Sequence, residues 1–355
     1  MTRRTVSLDR YTLAGLAAIL LWSTSVAVVR SLTEKLGPYT AGAAVYLTAG
    51  VLFLAQLLGQ ARGIDSLRRL SRPYLFGCGA LFVSYMIALY VAIGLAADRH
   101  QVLEIGLVNY LWPTLTILFS LLLLRQRAGL LLVPGTLLAL AGVFLVLTQG
   151  QSVSWSSFTA NVASRPVAYA LALYAAVSWG LYSNLTRRWA GPESGSGVAV
   201  FVAATGLALL CLRLGTTEPT HWTARGVAEV AFLGGATALG YALWDLAMRK
   251  GDVVFVAACS YLTPLLSTLV ACCYLRIMPG TSLAIGCLLI IAGSFLSWRS
   301  VAECPGPRSA ASGKALSVAI LEGSAKLGME TEDRTGRRDE DERRRVRDKE
   351  LETKS

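Results

Sequence analysis

The sequence predicts an all-α polytopic membrane protein, with ten transmembrane helices arranged as two inverted five-helix repeats around a central cavity. Three observations carry that prediction. Only 15% of the residues are charged and 54% are hydrophobic, whereas soluble domains carry about a quarter charged residues. The apolar residues gather into blocks of about 18–24, long enough for a hydrocarbon core of roughly 30 Å. The chain also matches itself at an offset of 151 residues.

The apolar blocks lie at 11–30, 38–58, 74–97, 102–124, 129–148, 166–186, 197–214, 227–248, 253–275 and 281–298. The first is too long for a cleaved signal peptide, and no small-residue cleavage site follows it. Short connections set orientation through Lys and Arg. Arg3, Arg4, Arg10, Arg62, Arg68, Arg69, Arg72, Arg125, Arg127, Arg187, Arg188, Arg249 and Lys250 fall on one side. Arg30, Lys35, Arg99, Arg165, Arg213, Arg225 and Arg276 fall on the other. The excess, 13 against 7, predicts cytoplasmic N- and C-termini in a bacterial inner membrane. It also accounts for the net charge of +11 without a nucleic-acid partner.

In the repeat, residues 90–149 lie over 241–300. NYLWP (109–113) meets SYLTP (260–264), Tyr90 meets Tyr241 and Arg125 meets Arg276. Upstream the spacing shifts slightly, and LLWSTSVAVVR (20–30) resembles AVSWGLYSNLTR (176–187), with Trp22 over Trp179. Five helices per copy is an odd number, so the second copy enters the membrane from the opposite side, a common plan for secondary transporters. The expected units are 1–149, 150–299 and a charged, disordered cytoplasmic tail at 300–355.

Pro113 and Pro264 each lack an N–H and clash with the carbonyl four residues back. Those residues, Asn109 and Ser260, are polar in both copies. Carbonyls freed within a membrane need protein or cavity water, so two bent helices lining a wet cavity are expected. Trp22, Trp112, Trp179, Tyr85, Tyr110, Tyr182 and Tyr261 lie deep in their blocks, away from the interfacial belt that such residues favour. They suggest flat, weakly polar walls suited to an aromatic solute or an organic cation. Packed core is the competing reading for any one of them.

Glu104 is a carboxylate in an apolar block, where function is the default. Capping a helix terminus, contacting a substrate ammonium and carrying a proton all remain open. Asp245 precedes Arg249 by four residues, the spacing of a plain helical ion pair near a water-accessible span end. Seven cysteines (Cys78, Cys211, Cys259, Cys272, Cys273, Cys287 and Cys304) show no metal-ligand spacing with His100 or His221 and read as small buried residues. No cofactor, metal or P-loop is expected.

LWSTSVAVVR (21–30), FVSY (82–85), RHQVLEIGLVNYLWPTLTILF (99–119), VPGTLLALAGV (133–143) and SYLTPLLS (260–267) resemble the EamA-type, ten-helix group of the drug/metabolite transporter superfamily. Within it they are most similar to the YddG-type aromatic amino-acid exporters. The resemblance covers residues 10–300. It implies a basket around a cavity lined by spans 1, 3, 4, 6, 8 and 9, working by alternating access. It also implies export of Phe, Tyr and Trp, other neutral amino acids and methyl viologen. Carried onto this chain, the wall residues are Tyr85, Tyr110, Trp112 and Tyr261, with Trp22 and Trp179 as repeat mates. The implied gates are the half-helices around Pro113 and Pro264.

The sequence therefore reads as a secondary transporter exporting aromatic and other hydrophobic or neutral amino acids, and not as an enzyme. It would act as a monomer, with the bilayer and a small-molecule solute as its partners. A multidrug or organic-cation exporter on the same fold is the alternative, and a non-transporting membrane scaffold or sensor is a distant one.

Overall fold

A computed structural model describes residues 9–60, 63–148, 155–190, 196–275 and 281–302. Helix occupies all ten apolar blocks. α1 (Arg10–Leu36) turns at Gly37 into α2 (Pro38–Leu58). Short α3 (Gly63–Arg68) leads to α4 (Pro73–Gly94), which opens with a π-helical stretch, Pro73–Cys78. The fourth block holds α5 (Arg99–Asn109) and α6 (Trp112–Leu123), and the fifth holds α7 (Leu132–Leu147). Short α8 (Trp155–Ser164) precedes α9 (Pro166–Trp189), α10 (Val198–Leu214) and α11 (Ala224–Lys250). α12 (Val253–Cys259), α13 (Leu262–Leu275) and α14 (Thr281–Ser300) complete the order.

Five of these helices are long and apolar enough to cross a membrane, or seven when the two bent pairs, within α1 and across α12–α13, each count once. Val51, Leu54, Leu122, Leu137 and Leu288 are each more than half exposed, as a lipid-facing surface requires.

Local chemistry sets the helix starts. Asp9 caps α1 by accepting the Thr12 N–H at 2.7 Å, and this bond holds its carboxyl below the ordinary range. Asp98, Thr223 and Asp252 cap α5, α11 and α12 in the same way. Proline sits at the start of α2, α6 and α9, where its missing N–H costs nothing.

α3 and α8 are additions to the expected elements. So is a pair of two-residue strands, β1 (Arg127–Ala128) antiparallel to β2 (Val301–Ala302). α14 runs to Ser300, and the Gly129 N–H donates to its carbonyl at 2.6 Å. The rest of the expected tail lies outside the described residues.

Small residues draw the helices together. In the α7–α14 seam Gly135 meets Ser297, Gly142 meets Gly286 and Ile290, and Gly293 meets Ala139. The register shows that the two helices run antiparallel. α2 and α10 are antiparallel too, with Gly50 against Ala203 and Gly206 against Leu47. α1 packs along α11 and α4 along α9, α6 packs on α9 and α13 on α1, and α2 meets α11 as α10 meets α4. A Cβ on Gly142 would lie 2.7 Å from the Gly286 carbonyl oxygen. Gly142→Ala should therefore cost about 1–3 kcal/mol, read as a lower thermal midpoint of the purified protein. An unchanged midpoint would show that the seam can spread.

The connections form two faces. The terminal face holds the start of α1 and the α2–α4, α6–α7 and α11–α12 connections. Here the Asp252 N–H donates to Thr12 Oγ1 at 3.0 Å, and Ser71 Oγ donates to the Trp189 carbonyl at 2.6 Å. The corner face holds the α1–α2 corner. There the Glu218 carboxylate accepts the N–H groups of Tyr39 and Thr40 at 2.9 Å each, and the His221 N–H donates to the Lys35 carbonyl at 3.0 Å.

Candidate functional site

Aromatic rings collect where the α1–α11 and α4–α9 seams meet. Trp179 on α9 stands at the centre. Its ring centroid lies 4.8–6.2 Å from those of Trp22, Phe82, Tyr85, Trp112, Tyr182, Tyr241 and Trp244. Trp22 fits because Gly240 opposite it has no side chain: a Cβ there would lie 2.6 Å from the indole nitrogen. The contacts are edge-on or tilted, the geometry that ring quadrupoles favour.

On its corner-face side the cluster borders a cavity of about 250 Å³. Trp22, Ser25, Tyr46, Tyr90, Thr237 and Tyr241 supply its aromatic and hydroxyl-bearing wall, and Leu32, Thr33 and Ala41 continue it towards the α1–α2 corner. Among the described residues the lining contains no charged side chain. Tyr46 Oη lies 2.7 Å from Tyr241 Oη and 2.9 Å from the Met86 sulfur, which fixes two of the walls. The lining thus comes from α1, α2, α4 and α11. Among the described residues, none from spans 4, 6 and 9, expected on the cavity from the resemblance, is on this lining.

The structure divides the expected site residues. Trp22, Tyr85, Trp112 and Trp179 share the ring cluster. Tyr110 and Tyr261 pack instead in a second core with Ile117, Ala139 and Leu265. Tyr110 and Trp112 are two positions apart and point to different sides of the break, which separates them. Tyr261 is fully buried, with its hydroxyl 2.6 Å from Thr114 Oγ1. Ser260 Oγ donates to the Val256 carbonyl at 2.8 Å. Asn109 ends α5, and its Oδ1 is buried without a hydrogen-bond partner.

The two proline-bearing blocks also differ. α5 and α6 count as one span despite the break at Tyr110 and Leu111, whereas α12 and α13 bend by 41°. Pro113 stands at the start of α6, and the Pro264 carbonyl accepts the hydroxyls of Ser267 and Thr268 at 3.0 and 2.8 Å.

Glu104 is buried between α5, α8 and α9. Both its oxygens accept Asn161 Nδ2 at 3.2 Å, and one also accepts the Tyr169 hydroxyl. It ties three elements together and is absent from the cavity lining.

Sequence reasoning missed Phe82 and Trp244 in the ring cluster and Tyr90 and Tyr241 on the lining, although the repeat had already aligned Tyr90 with Tyr241. It also misjudged Asp245. That carboxylate does pair with Arg249, at 2.8 Å, but it is 0% exposed rather than open to water. Tyr74 of α4 closes over it, donating its hydroxyl to Asp245 at 2.7 Å and accepting the Gly197 N–H at 3.1 Å. Arg187 Nη1 donates to the carbonyls of Arg249 and Gly251 at 2.9 Å each, adding the end of α9 to this terminal-face network.

Known proteins resemble this chain in sequence and fold. The model of the EamA-like transporter family matches residues 10–148 and 166–299. The aromatic amino acid exporter YddG of Escherichia coli is 37% identical over 292 residues, 82% of this chain and 97% of that protein. YddG of Salmonella typhimurium is 37% identical over 82% of this chain and 97% of its own. YddG of Ancylobacter novellus is 33% identical over 80% of this chain and 95% of its own. A solved crystal structure superposes with a TM-score of 0.68 at 30% identity, over 81% of this chain and 96% of that one. With both segments matched and relatives aligned over nearly their whole length, the chain belongs to the EamA-like transporter family.

Proposed function

We propose that the protein exports aromatic and other hydrophobic or neutral amino acids across the inner membrane, by alternating access between two inverted five-helix repeats. The observation that carries this reading is the uncharged cavity seated on the Trp22–Trp179–Tyr241 ring cluster. Ring faces hold an aromatic side chain, while lining hydroxyls such as those of Ser25, Tyr90 and Thr237 offer bonds to its polar end. The volume of about 250 Å³ suits a single amino acid better than the drug-sized ligands that fill sites of about 300–1,000 Å³. The names of the relatives point the same way.

Several features support the ten-span inverted plan. Helices at equivalent repeat positions, α2 with α10 and α7 with α14, pack antiparallel, and the family model matches two successive segments. The basic side chains favour the terminal face, which the positive-inside rule makes cytoplasmic.

The test is counterflow of a panel of labelled amino acids in liposomes at two imposed pH gradients. Tryptophan, phenylalanine and tyrosine are expected to exchange fastest, and absence of tryptophan flux overturns the reading. Flux indifferent to the gradient removes proton coupling. Glu104→Gln should keep at least about half of wild-type flux, because it retains an acceptor for Asn161 and Tyr169. A collapse of flux with an intact fold would restore Glu104 as a coupling residue.

A further inference from the structure

The two faces are built from equivalent positions of unequal size. The 151-residue offset carries Leu233 onto Phe82, and the Trp22–Trp179 equivalence carries Ser25 onto Tyr182. The matching α2–α10 contacts carry Val45 onto Phe201. Leu233, Ser25 and Val45 line the corner-face cavity. Phe82, Tyr182 and Phe201 fill the corresponding volume on the terminal face, with ring centroids 5.4–6.4 Å apart. Tyr74 packs its ring on Phe201 at 5.5 Å and its hydroxyl on Asp245.

Opening the terminal face must part α4 from α11 and so break the Tyr74–Asp245 bond. A buried carboxylate stripped of a donor is costly unless a new partner replaces it. An amino-acid zwitterion brings both charges that this site can pair.

Resting on the transport reading above, we propose that Asp245 and Arg249 are the zwitterion-recognising residues of a loading site on the terminal face. The substrate ammonium replaces Tyr74 on the Asp245 carboxylate, and its carboxylate engages the Arg249 guanidinium. The ring enters among Phe82, Tyr182 and Phe201. Solute thereby compensates the opening that an empty carrier resists, which limits leak.

The experiment is inhibition of tryptophan counterflow, with the full-length protein in liposomes, by two analogues present on both sides. Indole-3-propionate lacks the ammonium, and tryptamine lacks the carboxylate. In the wild type each should compete at least tenfold more weakly than tryptophan itself. Asp245→Asn should cut the discrimination against indole-3-propionate at least fivefold and leave that against tryptamine. Arg249→Gln should do the reverse. The charges are tested separately, so that if one variant fails to fold the other decides. Tyr74→Phe should change the rate while keeping both ratios. Variants that slow flux with both ratios unchanged would make the pair a purely structural latch and overturn the proposal. Absent wild-type flux would instead remove the transport reading on which it rests.

Discussion

Trp179→Ala should reduce tryptophan counterflow below about one-tenth of wild type and lower stability by about 3–5 kcal/mol, the range for emptying a packed aromatic site. Seven rings converge on this indole, and it is 2% exposed. Removing it leaves a hole into which Trp22, Trp112 and Trp244 can tip, so both the wall and its shape are lost. Trp179→Phe keeps a flat ring and should recover most of the stability but only part of the flux. Thermal midpoints and counterflow rates measured together separate the effects. Wild-type transport by the alanine variant would exclude the cluster as a wall. Trp112→Ala, at the cluster's edge, should cut flux severalfold and still insert.

Asp245→Ala carries the second large effect. Its side chain is fully buried and that of Arg249 is 9% exposed. Deleting the acid takes the 2.8 Å carboxylate partner from the Arg249 guanidinium and the acceptor from the Tyr74 hydroxyl, and breaking a buried pair in this way costs about 3–5 kcal/mol. The expected result is poor recovery of monodisperse protein and a much lower thermal midpoint. The double change Asp245→Ala with Arg249→Met should regain part of the loss, because an apolar pair leaves no orphaned charge. A single variant as stable as the wild type would mean that water reaches Arg249.

The order of helices was legible because each depends on a contiguous run of apolar residues. Helix ends follow local rules, and Asp98 and Asp252 announce their caps in sequence. Contacts across the chain were hidden. Nothing near Glu104 names Asn161 or Tyr169, and nothing near Asp245 names Tyr74, because those partners arrive only when helices pack. The motif around Asn109 drew attention to neighbouring aromatics, yet adjacency along a helix separates faces: Trp112 joined the ring cluster and Tyr110 did not. Tyr241 stood out only as the repeat mate of Tyr90, and nothing singled out Trp244 in its long apolar helix. What reveals them is the seam with α1, where Gly240 gives Trp22 its room. The strand pairing of Arg127 with Ala302 was invisible for a similar reason, since two residues carry no periodicity.

The hydrogen bond between Thr114 and Tyr261 has a mechanical meaning. Thr114 follows Pro113 at one helix break, and Tyr261 forms part of the other. The bond links the two joints like a crank pin, so movement at one pulls on the other. On the alternating-access reading proposed above, such a tie favours the two ends of the passage moving in turn, like a revolving door.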